Sequence, residues 1–168
     1  MPITLKGIMQ APVTPFKDDF SFDASAFEKM VDFHVRNGAP AITWPYHKSE
    51  SLNLAIAERK LGAEIVVRTV AGRVPVTIFV GTLSEEDALD LARHAKKAGA
   101  NAIVVISPYC RRPSQEEIFD SIVEHTTGGN QDETLDQAAK RSRYGLVAGP
   151  GFHGLAEDRN AERQRDDP

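Results

Sequence analysis

One cysteine, Cys110, is all that the 168 residues contain. An intrachain disulfide is thereby excluded, and a lone thiol fits a reducing compartment, so a cytoplasmic location is the expectation. An excess of basic charge is also missing: 20 Lys and Arg stand against 24 Asp and Glu, a formal net charge of -4. That balance offers no electrostatic footprint for a nucleic acid or an anionic membrane, and neither is expected as a partner. No apolar run approaches the roughly 20 residues of a membrane helix. Met1 to Phe16 lacks a basic region followed by a long apolar one, so it does not read as a secretory signal. Cys and His nowhere cluster at zinc-ligand spacing. The glycine pairs Gly128-Gly129 and Gly149-Pro150-Gly151 lack the spacing and the lysine of a phosphate loop. No metal and no cofactor is therefore expected.

What is present falls into two parts. In the first, short apolar runs alternate with capped helical spacing. Gly7 to Val13 reads as a strand that ends at Thr14-Pro15. Asp23 precedes Ala26, Phe27, Met30, Val31, Phe33 and His34, an apolar helical face, with Asn37-Gly38 as its stop. His34 on that face reads as a core histidine. Ala41 to Trp44 is a second strand, and Leu54 to Val70 an amphipathic helix carrying Leu54, Ile56, Ala57, Leu61, Ile65 and Val66. Val74 to Val80 is β-branched and nearly continuous, the pattern of a strand buried on both faces. Ser84 to Asp87 opens a third helix that stops at Ala98-Gly99, and Ala102 to Ile106 is a fourth strand. Ser114-Gln115-Glu116-Glu117 is an S-x-x-E capping box before a fourth helix. The order βαβαβαβα predicts a parallel sheet.

Near Thr126 the pattern dissolves. Gln131 to Ser142 has thin apolar content for a helix, Tyr144 to Phe152 is a brief apolar stretch cut by glycines and Pro150, and Glu157 to Pro168 is almost wholly polar. Such a composition buries too little apolar surface to offset the entropy of ordering, and the last residues read as disordered. The expected organisation is an N-terminal α/β domain over residues 1–125 and an atypical, partly disordered tail over 126–168.

Several segments of the first part, taken in order, resemble the dihydrodipicolinate synthase and N-acetylneuraminate lyase family. They are Gly7-Ile-Met-Gln-Ala-Pro-Val-Thr-Pro-Phe16, Phe33-His34-Val35-Arg36-Asn37-Gly38, Ser49-Glu50-Ser51-Leu52 with Glu58-Arg59, Val74-Pro75-Val76, Ala95 to Ala100, and Ser107-Pro-Tyr-Cys-Arg-Arg-Pro-Ser114. The resemblance implies a (β/α)8 TIM barrel, here partial, with about four βα units. It further implies a class I aldolase, a lyase acting on a small pyruvate-like 2-oxo acid through a Schiff base, and a homo-oligomer.

The departures are concentrated in the site. Where the family carries G-T-T-G-E, which holds the substrate carboxylate and lends a hydroxyl to a proton relay, this chain reads Tyr46-His47-Lys48-Ser49-Glu50. The family's relay tyrosine matches the position of Cys110, and Tyr109 stands beside it. The Schiff-base lysine of strand six has no matching segment in this chain. His47, Lys48 and Ser49, just past a strand end, are the candidate substrate-binding residues, because a βα barrel does its chemistry at that face. Lys48 offers a point charge for a carboxylate and His47 a group that titrates near neutrality. The plain alternative is a solvated basic loop. Tyr109 is the candidate catalytic residue, with a cavity-wall role as its alternative. Cys110 lies next to Arg111 and Arg112, which favour a reactive thiolate, yet no His is near in sequence to serve as base and a small apolar filler is the simpler reading. Glu50 and Ser51 are expected to orient the turn.

Two functions follow as expectations. One is the lyase that the resemblance implies, in a truncated and catalytically incomplete chain. The other is a non-catalytic truncated or frame-altered relative acting as an oligomerising or binding module, since a half barrel leaves open strand edges and an uncovered apolar face.

Overall fold

The computed structural model describes residues 7–106, Ser114, Glu117 and the pair Gly145–Leu146. Its elements, in chain order, are α1 (Ala24–Arg36), β1 (Ile42–Trp44), a 3-10 turn (His47–Ser49), α2 (Ile56–Val70), β2 (Val76–Phe79), α3 (Glu85–Ala98), β3 (Ala102–Val104) and β4 (Gly145–Leu146). The four strands form one sheet in the order β1-β2-β3-β4, every pair parallel. The expected strand over Gly7 to Val13 contracts to a single bridge. Gln10 pairs with Ile42 on the free edge of β1, its N–H donating to the carbonyl of Ala41 while its own carbonyl accepts from Thr43. Pro12 and Pro15 have no N–H to continue a ladder.

The helices start where the sequence places their caps. The carboxylate of Asp23 accepts from the N–H of Ala26 at 2.9 Å, and the hydroxyl of Ser84 from that of Asp87 at 3.2 Å, satisfying donors that a helix cannot pair internally. At α2 the side chain of Glu58 reaches back to the N–H of Ala55 at 2.9 Å. The reciprocal capping box of Ser114 and Glu117 is formed too, with bonds of 2.6 and 3.2 Å. α3 ends on Gly99 at φ +94°, a left-handed conformation that glycine adopts without strain.

Strand alternation sorts the side chains. Ile42, Trp44, Val76, Ile78, Val80, Ile103 and Val105 join Phe27, Val31, Ala63, Val66, Leu91 and Ala95 in the core between sheet and helices. Trp44 is its centre, within 6.2 Å of the Phe22 ring and 4.9 Å of the Phe27 ring, centroid to centroid. The alternate residues Thr43, Thr77 and Phe79 lie on the other face of the sheet and are also buried. Three residues read from spacing as core-facing are instead exposed: Phe33 at 56%, Leu61 at 44%, and Ala57. In α1 only Phe27 and Val31, one turn apart, are buried, and His34 is half-buried with its ring edge against Phe33 rather than in the core. The fourth helix beyond Glu117, the thin helix over Gln131 to Ser142 and the residues from 147 onward lie outside the described residues. β4 was not legible as a strand, because two residues carry no period; its backbone pairing with Ala102 and Ile103 defines it. No helix among the described residues is long and apolar enough to cross a membrane.

Candidate active site

The polar turn sits where β1 ends. Residues Tyr46 to Glu50 leave the strand through a cis Trp44-Pro45 bond and wind into the 3-10 turn. Glu50 closes it at φ 59°, ψ 36°, with its N–H on the carbonyl of His47, and its carboxylate accepts from the side chain of Asn53 at 3.1 Å. Glu50 therefore orients the turn, as its place in sequence suggested.

Three hydrogen bonds fasten the turn to the N-terminal segment. The hydroxyl of Ser49 donates to the carbonyl of Pro12 at 2.6 Å, the hydroxyl of Thr14 donates to the carbonyl of Ser49 at 2.6 Å, and the indole N–H of Trp44 donates to Thr14 at 3.3 Å. Ser49 is fully buried, whereas His47 and Lys48 beside it are exposed. The three expected ligand-binding residues are thus divided: two present their side chains outward, and the third spends its hydroxyl on Pro12. Ser51 is buried as well, and its hydroxyl has no hydrogen-bond partner among the described residues.

On the side facing away from the helices, Phe79 gathers the site. The ring of Tyr46 stacks on it at 5.2 Å and the His47 ring meets it edge-on at 5.6 Å. From α2, the guanidinium of Arg59 lies 5.9 Å from the Phe79 centroid. Its two terminal nitrogens donate to the carbonyls of Phe79 at 2.8 Å and Gly81 at 3.1 Å. Arg59 is only 2% exposed; a charge so placed is tolerated because fixed backbone dipoles take the place of its hydration. Gly81 leaves room for this arrangement, since a Cβ there would stand 2.5 Å from the Phe79 ring. Below Tyr46, Thr43 and Thr77 face each other across the β1–β2 register and share a hydrogen bond of 2.8 Å. Burial pushes the Tyr46 pKa up.

Sequence reasoning overlooked Tyr46, Phe79, Arg59, Thr43, Thr77 and Thr14 as parts of the site. Arg59 and Thr14 carried a signal, lying within the segments Glu58-Arg59 and Thr14-Pro-Phe that bear the family resemblance. Tyr109, Cys110, Arg111 and Arg112 lie outside the described residues. No group of three or more His, Cys, Asp or Glu able to hold a metal occurs among the described residues.

A parallel sheet with helices on one face and a polar turn at a strand's C-terminal end fits the wall of a βα barrel, the partial barrel expected from the sequence. The particular barrel follows from the whole span: the chain belongs to the dihydrodipicolinate synthetase family, whose model matches residues 4–146. That span continues past Thr126 and takes in β4. The 4-hydroxy-tetrahydrodipicolinate synthase of Bartonella quintana (strain Toulouse) is 39% identical over 115 residues, 68% of this chain and 39% of that protein. The crystal structure of dihydrodipicolinate synthase from Aquifex aeolicus superposes with a TM-score of 0.69 at 31% identity, covering 73% of this chain and 42% of that one. YagE, a prophage protein of the dihydrodipicolinic acid synthase family from E. coli K12 solved in complex with pyruvate, superposes with a TM-score of 0.69 at 28% identity, covering 72% of this chain and 41% of that one. The chain thus spans well under half the length of these relatives.

Proposed function

We propose that this chain supplies the 2-oxo-acid-binding wall of a class I aldolase-type lyase site, and that by itself it does not form the Schiff base. The carrying observation is the turn: His47 and Lys48 are presented outward at the end of β1 while the backbone between them and the core is pinned by Ser49, Thr14 and Pro12. An ammonium beside an imidazole suits a small carboxylate, and a relative has been solved with pyruvate. In this reading Lys48 and His47 contact the ligand and Ser49 positions them, while Tyr109 is proposed as the catalytic residue on the family resemblance alone. No cofactor is required, because an imine needs only a deprotonated lysine and positioned acid–base groups. The matching region holds no counterpart of the lysine that the family uses, so the imine-forming step is no part of this proposal. A homo-oligomer in a reducing cytoplasm completes the proposal.

The test is a titration of the full chain with pyruvate, followed by borohydride reduction and mass analysis. Saturable binding that Lys48→Ala weakens, with no adduct on any lysine, is the expected result. A reduced adduct would overturn the catalytic incompleteness, and absence of binding would overturn the site.

A further inference from the structure

An exposed imidazole on a surface turn ordinarily samples several rotamers, and a ligand that needs one of them must restrict the rest. His47 opens the 3-10 turn and is exposed. Its ring nevertheless lies against a buried one, meeting Phe79 at 5.6 Å between centroids and 67° between planes. One side of the imidazole therefore faces a wall and the other faces solvent.

The sheet register puts that wall in place. Thr43 stands opposite Thr77 and Trp44 opposite Ile78, so Phe79 is the next step along β2, level with the point where β1 gives way to the turn. Alternation turns its side chain to the face away from the helices. The ring is wholly buried, and it is held on several sides. Tyr46 stacks on it at 5.2 Å and 26°, and the Arg59 guanidinium lies 5.9 Å from its centroid. At Gly81 a Cβ would stand 2.5 Å from Cζ of the ring and 2.9 Å from Cγ1 of Ile106, so the ring tip fills the space that a side chain would need. The backbone beneath is fixed as well. Arg59 takes the carbonyls of Phe79 and Gly81, and between them the N–H of Val80 donates to the carbonyl of Val104 at 3.0 Å. A mobile side chain laid against an immobile one takes its orientation from it.

We infer that Phe79 is a positioning residue: it orients the imidazole of His47 before a ligand arrives, and Arg59 and Gly81 hold the Phe79 ring in place. The proposed function supplies the ligand; the orientation of the imidazole rests on the ring contacts alone.

The experiment uses the full-length chain, with the His47 ring signals assigned by their disappearance in His47→Gln. In the wild type, cross-relaxation between the ring protons of His47 and Phe79 is expected, a measurement that needs no variant of Phe79 to fold. Its absence overturns the inference. Phe79→Leu should then shift the His47 ring signals, with the other four histidines as internal controls. Pyruvate is titrated at a temperature where circular dichroism finds wild type and variant both folded. Losing the aromatic pair that orders the imidazole makes the expected loss of pyruvate affinity about two- to tenfold. A merely structural role for Phe79 would lower the denaturation midpoint and leave this affinity unmoved. Unchanged affinity in Phe79→Leu therefore overturns the inference and leaves the binding reading standing. A wild type that shows the cross-relaxation but binds no pyruvate overturns the proposed function and leaves the orientation of His47 by Phe79 standing.

Discussion

Gly62 of α2 lies directly against the indole of Trp44: a Cβ on Gly62 would stand 2.2 Å from Cη2 of the ring. Trp44 has no freedom to retreat, being fully buried against Phe22 and Phe27 and tied by its N–H to Thr14. Gly62→Ala is therefore expected to destabilise the fold by about 1–3 kcal/mol, the range for overpacking a filled core. The helix-propensity gain of alanine, roughly 1 kcal/mol, offsets only part of this. Urea unfolding followed by Trp44 fluorescence, the chain's single tryptophan, reads the change.

Ser49 and Lys48 are neighbours with opposite expected phenotypes. Ser49→Ala removes the donor to Pro12 and leaves a buried carbonyl unpaired, a loss of about 1–3 kcal/mol. Lys48→Ala removes an exposed side chain and should change stability by less than about 0.5 kcal/mol while weakening carboxylate binding. Equal loss of stability in both variants would refute this division of labour.

Arg59→Met keeps much of the aliphatic length and deletes the fork that serves Phe79 and Gly81. Each carbonyl left without a donor costs about 1–3 kcal/mol. The variant is expected to unfold at lower denaturant, and Arg59→Lys to recover only part of the loss because an ammonium cannot make the two-pronged contact. Denaturation midpoints of the three proteins decide it.

Asp32 gives the fold an acid dependence. Its carboxylate accepts from Arg73 at 3.0 Å and pairs with Arg36 at 2.7 Å, tying α1 to the α2–β2 turn. The bond from Arg73, then the charge of Arg36, hold its pKa below the ordinary value of 3.8. The folded state thus binds the proton less readily than the unfolded chain. Its contribution is complete above the unfolded value and is lost as pH falls through the lowered one. Stability of the wild type should fall more steeply below about pH 4 than that of Asp32→Asn, by a small margin because the pair is exposed to solvent.

The elements that could be read ahead of the structure were those with a local cause. Asp23, Ser84 and Ser114 each cap where their side chain meets a nearby N–H, and the β-branched run around Val76–Phe79 makes a strand covered on both faces. The site was legible only in part, because its architecture is long-range. That Ser49 faces inward to Pro12, that Arg59 crosses from α2 to the end of β2, and that Thr43 meets Thr77 are outcomes of pairing between segments 20 to 37 residues apart. Spacing along a helix assigned Phe33 and Leu61 to the core for a related reason: a stripe wider than the contact it serves leaves its margin in water.

The order of strands across the sheet is the order of strands along the chain. Each strand therefore docks on the one made just before it, with Gln10 at one margin and β4 at the other. During synthesis β2 and then β3 can each add to a strand already made as the chain leaves the ribosome, whereas the outer edge of β3 waits for the more distant β4.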